Sequence, residues 1–165
     1  MKDRQLGLFD SVEPYPAVPY PPAPVPAQKT KPAFVFYLGT HQANWLGLTD
    51  VPLFISRRRL APRKSLPRAK GVWCLDSSGF TELAMHGRWT VPAKTYAAEV
   101  RRFQDEIGGL QWAAIQDWMV EPNIRAKTGL SVEEHQRRTV QSWLELKSLA
   151  PDLPWAPVLQ GWSIG

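Results

Sequence analysis

A chain of 165 residues, 44% of them hydrophobic, can enclose one core and is too apolar to stay disordered. Its single cysteine, Cys74, excludes an internal disulfide and a multi-cysteine zinc site, and His41, His86 and His135 share no metal-binding spacing, so no metal or cofactor is expected. No segment approaches the roughly 20 apolar residues that span a bilayer, and no signal-type apolar core follows Lys2, Asp3 and Arg4. No membrane association is expected, and a cytoplasmic location is.

Residues 1–33 read as a Pro-rich flexible tail. Half of the 16 prolines lie between Pro14 and Pro32, and prolines at that density remove backbone donors and favour extended, polyproline-like chain. Such a tail serves as a linker or as a ligand for a proline-reading module. From residue 34 onward, strand-like and helix-like stretches alternate. The apolar run 34–38, ending at Gly39, predicts a first buried strand. Residues 51–55 predict a second, weakened at its start by Pro52.

The net charge of +5 is localised just after this second strand. Arg57, Arg58, Arg59, Arg63, Lys64, Arg68 and Lys70 occupy one stretch with no acidic residue among them. Guanidinium groups offer a planar fork to phosphate oxygens, so this stretch is a candidate nucleic-acid contact; the plainer reading is a solvated basic loop.

Residues 71–75 predict a third strand, with Cys74 as a buried, unreactive thiol. The strand ends abruptly in Asp76-Ser77-Ser78-Gly79-Phe80. A carboxylate at the C-terminal end of a buried strand stands where α/β folds place their chemistry. An aspartate capping its own turn is the competing reading. Tyr96, Val100, Phe103 and Ile107 then recur at helical spacing, with Pro92 at the start and Gly108-Gly109 as the stop. Residues 112–115 predict a fourth strand leading into Gln116 and Asp117. Ser131 and Glu134 make a capping box for a last helix, whose buried face is expected to be Val140, Trp143, Leu144 and Leu149. A fifth strand is expected at 157–159, followed by Gln160-Gly161. Alternation of this kind argues for parallel βαβ units, whose strands all point one way. Asp76, Asp117 and Gln160 would then gather at one rim.

Read together, these segments resemble the queuine and archaeosine tRNA-guanine transglycosylase superfamily, and within it the DNA-acting deazapurine modification proteins of the DpdA family. That family carries Asp-Ser-Gly-Gly-aromatic after a barrel strand, and Asp76-Ser77-Ser78-Gly79-Phe80 is similar. A later strand of the family ends in a base-reading aspartate, which Asp117 matches, and a Val-Gln-Gly-Gly element resembles Val158-Leu159-Gln160-Gly161. Ser78 and Trp162 stand where the family usually has glycine, which points to a divergent branch; the zinc cluster of the bacterial tRNA enzymes is absent.

The resemblance implies an α/β fold, a partial (β/α)8 barrel with about five of its eight strands, residues 34–165 forming its N-terminal part. It implies exchange of guanine in DNA for a 7-deazaguanine derivative through a covalent aspartyl–sugar intermediate. Asp76 would be the acid/base or orienting carboxylate. Asp117 would take the N1 and amino edge of guanine, Gln160 and the Gly161 amide the base carbonyl, and Ser77 the base or Asp76. Phe80 would stack on the purine, with Trp118 as further pocket lining. The family's nucleophilic aspartate follows the Gln-Gly element, and this chain ends at Gly165 before any such residue. A missing C-terminal segment or a partner chain is therefore expected to complete the barrel. The alternatives are the same chemistry on tRNA, or a non-catalytic nucleic-acid-binding subunit.

Overall fold

The computed structural model describes residues 34–161. The Pro-rich tail and the last four residues, Trp162 among them, lie outside the described residues.

Five strands form one wholly parallel sheet in sequential order: β1 (Leu38–Thr40), β2 (Leu53–Ser56), β3 (Trp73–Asp76), β4 (Leu110–Ala114) and β5 (Trp155–Ala156). The connections carry a 3-10 helix at Ala43–Gly47 and helices α1 (Arg57–Leu60), α2 (Gly79–His86), α3 (Ala93–Ile107), α4 (Pro122–Thr128) and α5 (Val132–Leu149). Crossovers between parallel strands are right-handed almost without exception. A strand order that never reverses therefore sends successive helices to the same face, as in a (β/α) barrel wall.

The two sheet faces differ. Leu53, Ile55, Trp73, Leu75, Ala113 and Trp155 pack with Tyr96, Val100, Phe103 and Ile107 of α3 and Leu146 of α5 into the main core. The α3 stripe is the one its spacing predicts, and the helix stops at Gly108 and Gly109, both at positive φ. On the opposite face, Phe54, Cys74 and Trp112 stand side by side in register across three strands. Trp112 packs there against Phe54, with ring centroids 5.4 Å apart, and edge-on to Tyr37 at 6.0 Å. Phe54 and Trp112 are only partly buried, whereas Cys74 is fully buried and burial pushes its thiol pKa up. Among the described residues no helix is long and apolar enough to cross a membrane.

Several boundaries depart from expectation. The first strand begins where residues 34–38 were expected to end, because ladder pairing with β2 starts only at Leu38; Phe34 and Phe36 are exposed. The last strand is Trp155–Ala156, not 157–159, since Pro157 has no N–H to extend the ladder. On α5 the buried stripe is His135, Thr139, Ser142 and Leu146, while Val140, Leu144 and Leu149 are exposed. His135 and Thr139 face inward because their side chains bind backbone groups of the segment between β4 and α4. His135 Nδ1 meets the Met119 carbonyl at 2.5 Å and its Nε2 the Thr128 hydroxyl at 2.7 Å, and the Thr139 hydroxyl accepts from Trp118 N–H at 2.9 Å. Ser131 caps α5 by accepting from Glu134 N–H, but the Glu134 carboxylate pairs with Arg137 and Arg138 and does not close the reciprocal half of the capping box.

The basic stretch is not a uniform solvated loop. Its first residues form α1, and Arg57 makes a two-pronged ion pair with Glu99 of α3, at 2.5 and 2.9 Å, largely out of water. Arg68 donates to the carbonyls of Asp105 and Glu106 at the end of α3. These two arginines tie the β2–β3 connection to α3. Removing one partner of a poorly solvated pair strands the other. Arg57→Ala is expected to lose about 2–3 kcal/mol of unfolding free energy, and Arg58→Ala less than about 0.5 kcal/mol. Urea denaturation of the two variants checks this; equal losses would contradict it.

Candidate active site at the strand ends

The site starts from the turn after β3. Its last residue, Asp76, is half-buried at the sheet's C-terminal rim; Ser77 and Ser78 are buried and α2 begins at Gly79. Making that turn in two residues requires left-handed backbone, and Ser78 sits at φ 72°, the only non-glycine residue with positive φ among those described. This is the position at which the resembled motif has glycine. A serine there carries a strain of roughly 1 kcal/mol, and its hydroxyl offsets the cost. Ser78 Oγ bonds Ser56 Oγ at 2.6 Å and accepts from Arg58 N–H at 3.2 Å, fastening the turn to the end of β2.

Asp117 comes to the same place from β4. The strand proper ends at Ala114, so the carboxylate stands three residues beyond it, 5% exposed. Its Oδ1 accepts a long bond from Ser77 Oγ at 3.4 Å, and its Oδ2 a short one from Gln160 Nε2 at 2.6 Å. The Gln160 carbonyl in turn accepts from Gln136 of α5, so the segment after β5 is anchored although it has left the sheet. Gly79 completes the enclosure: a Cβ there would stand 3.1 Å from Asp117 Oδ1, 3.1 Å from the Trp89 ring and 3.2 Å from the Met119 methyl. Close approach sets glycine at 79, whereas at 78 a serine holds the left-handed backbone that glycine would adopt without strain.

Burial raises the Asp117 pKa to about 6, and the charges of Asp76 and Glu121 add to that, against the lowering effect of the Ser77 bond. Beneath the carboxylates the Tyr96 hydroxyl donates to the Ala114 carbonyl at 2.6 Å, and burial chiefly, then the charge of Asp76, holds its phenol well above the ordinary value. The arrangement is a poorly solvated acceptor with neutral donors on both oxygens, beside a second, better-hydrated carboxylate.

Asp76, Ser77, Asp117 and Gln160 thus converge, although they come from three strand ends. Phe80, on the first turn of α2, is half-exposed, and Gly161 is exposed; neither makes a described side-chain contact with Asp117. The half-buried Trp118 ring packs under the Arg138 guanidinium at 4.5 Å and edge-on to His135. Trp89 was not foreseen: its indole N–H donates to the Asp117 carbonyl at 3.1 Å. Nor was Glu82, whose carboxylate binds the Thr90 hydroxyl and N–H and so holds the loop that carries Trp89. Among the described residues no three His, Cys, Asp or Glu side chains are grouped to hold a metal ion.

The sequence model of one family, described as DeoxyPurine in DNA protein A (DpdA), matches residues 33–165, which is most of the chain. The chain belongs to the DpdA family. No curated protein and no solved structure matches it. The DpdA match spans all five strands and every residue of the rim described above, and the family's description ties it to deoxypurine in DNA.

A carboxylate whose folded pKa lies above its unfolded value binds more protons in the native state, so it costs stability as pH rises through that interval. For Asp117 the interval runs from 3.8 to about 6. Asp117→Asn is therefore expected to be more stable than the parent at pH 7.5, by on the order of 2 kcal/mol. The advantage should shrink toward nothing as pH falls to about 4. Denaturant titrations at the two pH values check this, and a variant less stable at pH 7.5 would contradict it.

Proposed function

We propose that this DpdA-family chain is part of a transglycosylase that replaces guanine in DNA with a 7-deazaguanine derivative. The observation that carries this is the buried Asp117 carboxylate with the Gln160 amide on one oxygen, a few residues beyond adjacent parallel strands and beside Asp76. A guanine presents two donors, N1–H and the exocyclic amine, next to a carbonyl acceptor. A carboxylate takes both donors and a neighbouring primary amide supplies the donor for the carbonyl. In this reading the Gln160 amide passes from Asp117 to the base carbonyl as the base edge arrives, with the Gly161 amide beside it. Ser77 keeps Asp117 aligned, and the half-exposed Phe80 ring offers a stacking face.

Base exchange then runs in two displacements. A carboxylate oxygen bonds to the sugar C1′ as the C1′–N9 bond breaks, and guanine leaves with a proton supplied at its ring nitrogen. The incoming deazaguanine loses its N9 proton, forms the new C1′–N9 bond and releases the carboxylate. Asp76, better hydrated than Asp117, is the group assigned to move those protons. The nucleophile, by resemblance, is a further aspartate beyond the Gln160-Gly161 element. A base in a duplex has to be extruded before a site of this kind reaches it.

The sheet supports a larger barrel. Sequential parallel order with an apolar second face is the pattern of a (β/α)8 wall, which typically takes eight strands. Just beyond the edge strand β5, Val140 of α5 and the nearly fully exposed Leu159 line one groove, and Leu144 of α5 is also exposed. Further strands and a covering helix, from a C-terminal segment or a partner chain, would bury that edge.

Incorporation of labelled 7-deazaguanine base into DNA by the complete protein tests the assignment. Asp76→Ala is expected to lower incorporation by at least about 100-fold, the usual weight of a positioned acid/base group, with folding preserved. Undiminished incorporation would remove Asp76 from the mechanism.

A further inference from the structure

A cavity of about 370 Å³ opens beside the rim, lined by Thr40, His41, Ser56, Arg58, Arg59 and Thr81. Its walls come from the ends of β1 and β2, from α1 and from the first turn of α2. No carboxylate lines it. Two guanidinium groups, an imidazole and three hydroxyls do, and all of them can donate hydrogen bonds.

The basic stretch divides here. Arg57 and Arg68 are committed to α3, by the Glu99 pair and by the helix-end carbonyls. Among the described residues the Arg58 and Arg59 side chains make neither an ion pair nor a hydrogen bond, and both are exposed. The wall that carries them is nonetheless fixed. Arg58 N–H donates to Ser78 Oγ, which also bonds Ser56 Oγ, so the backbone under the two arginines is fastened to the turn that follows Asp76. Ser56 is also the register partner of Asp76, which puts the cavity wall and that carboxylate on adjacent strands, about 5 Å apart.

We infer that this cavity holds one phosphodiester of the DNA strand, next to the nucleotide whose base enters the Asp117 pocket. The inference rests on the base-exchange reading and adds to it where the sugar–phosphate backbone is gripped. Two forked donors on rigid backbone suit a singly charged, two-oxygen group. Holding a linkage one strand away from Asp76 would also fix the sugar against the carboxylates. Phosphate contacts of this kind set register without reading sequence.

The test uses the complete protein and single-stranded oligonucleotides containing one target guanine. Each carries a single uncharged methylphosphonate linkage at a different position, and binding is followed by fluorescence anisotropy. One linkage next to the guanine is expected to weaken binding by the parent about tenfold, the weight of one charge-assisted contact. The same linkage should cost the Arg58→Ala/Arg59→Ala protein nothing further. That double variant should bind the all-phosphate strand about tenfold more weakly, and Arg58→Lys/Arg59→Lys should recover part of the loss. Both side chains are exposed, so thermal unfolding of the double variant is expected to match the parent. If the parent binds the strand but no linkage near the guanine matters, or the loss persists in the double variant, the cavity assignment fails while the DNA reading stands. Failure of the parent to bind any oligonucleotide overturns the DNA reading and the cavity assignment with it.

Discussion

Asp117 is a carboxylate taken almost entirely out of water and given two neutral donors in exchange, and the rest of the rim is arranged around keeping it there. Gln160 reaches it from beyond β5, Ser77 from beyond β3, and Trp89 holds its backbone carbonyl from the loop before α3. Gly79 approaches so closely that a methyl group at that position would press on the carboxylate oxygen. Burying a charge without a counter-ion is costly, and that burial is the chief reason the Asp117 pKa is raised. A carboxylate held in this state gains when donors from a ligand replace lost solvation, which is the physical basis for recognising a guanine edge.

The turn between β3 and α2 links this pocket to the basic stretch. Ser78 adopts a backbone conformation that glycine would take without strain, yet its hydroxyl joins the ends of β2 and β3 and the start of α1. One residue thereby fixes the spacing between a carboxylate rim and a cationic cavity. Departures from a family pattern at a strained position are informative when the substituted side chain is fully engaged, as this one is.

Parallel alternation, the α3 stripe and the convergence of Asp76, Asp117 and Gln160 were legible from residue types, because each follows from local periodicity and from the common direction of parallel strands. The inward face of α5 was not legible. Val140 and Leu144 look like core residues, but His135, Thr139 and Ser142 occupy that face, the first two binding backbone groups of the β4–α4 connection, and no periodicity rule anticipates partners so distant in sequence. The division of the basic stretch was hidden for the same reason: Glu99 lies 42 residues from Arg57, and nothing in the run of arginines distinguishes the one it selects from Arg58. The first and last strands were misplaced by two to four residues where Pro157 or an unpaired edge, and not hydrophobicity, set the boundary.

A crystal structure of the complete protein with a 7-deazaguanine base bound addresses the central claim most directly. The account predicts the Asp117 carboxylate within hydrogen-bond distance of the ring N–H and exocyclic amine, with the Gln160 amide moved onto the base carbonyl. A base seated elsewhere, with the Gln160–Asp117 bond intact, would contradict it.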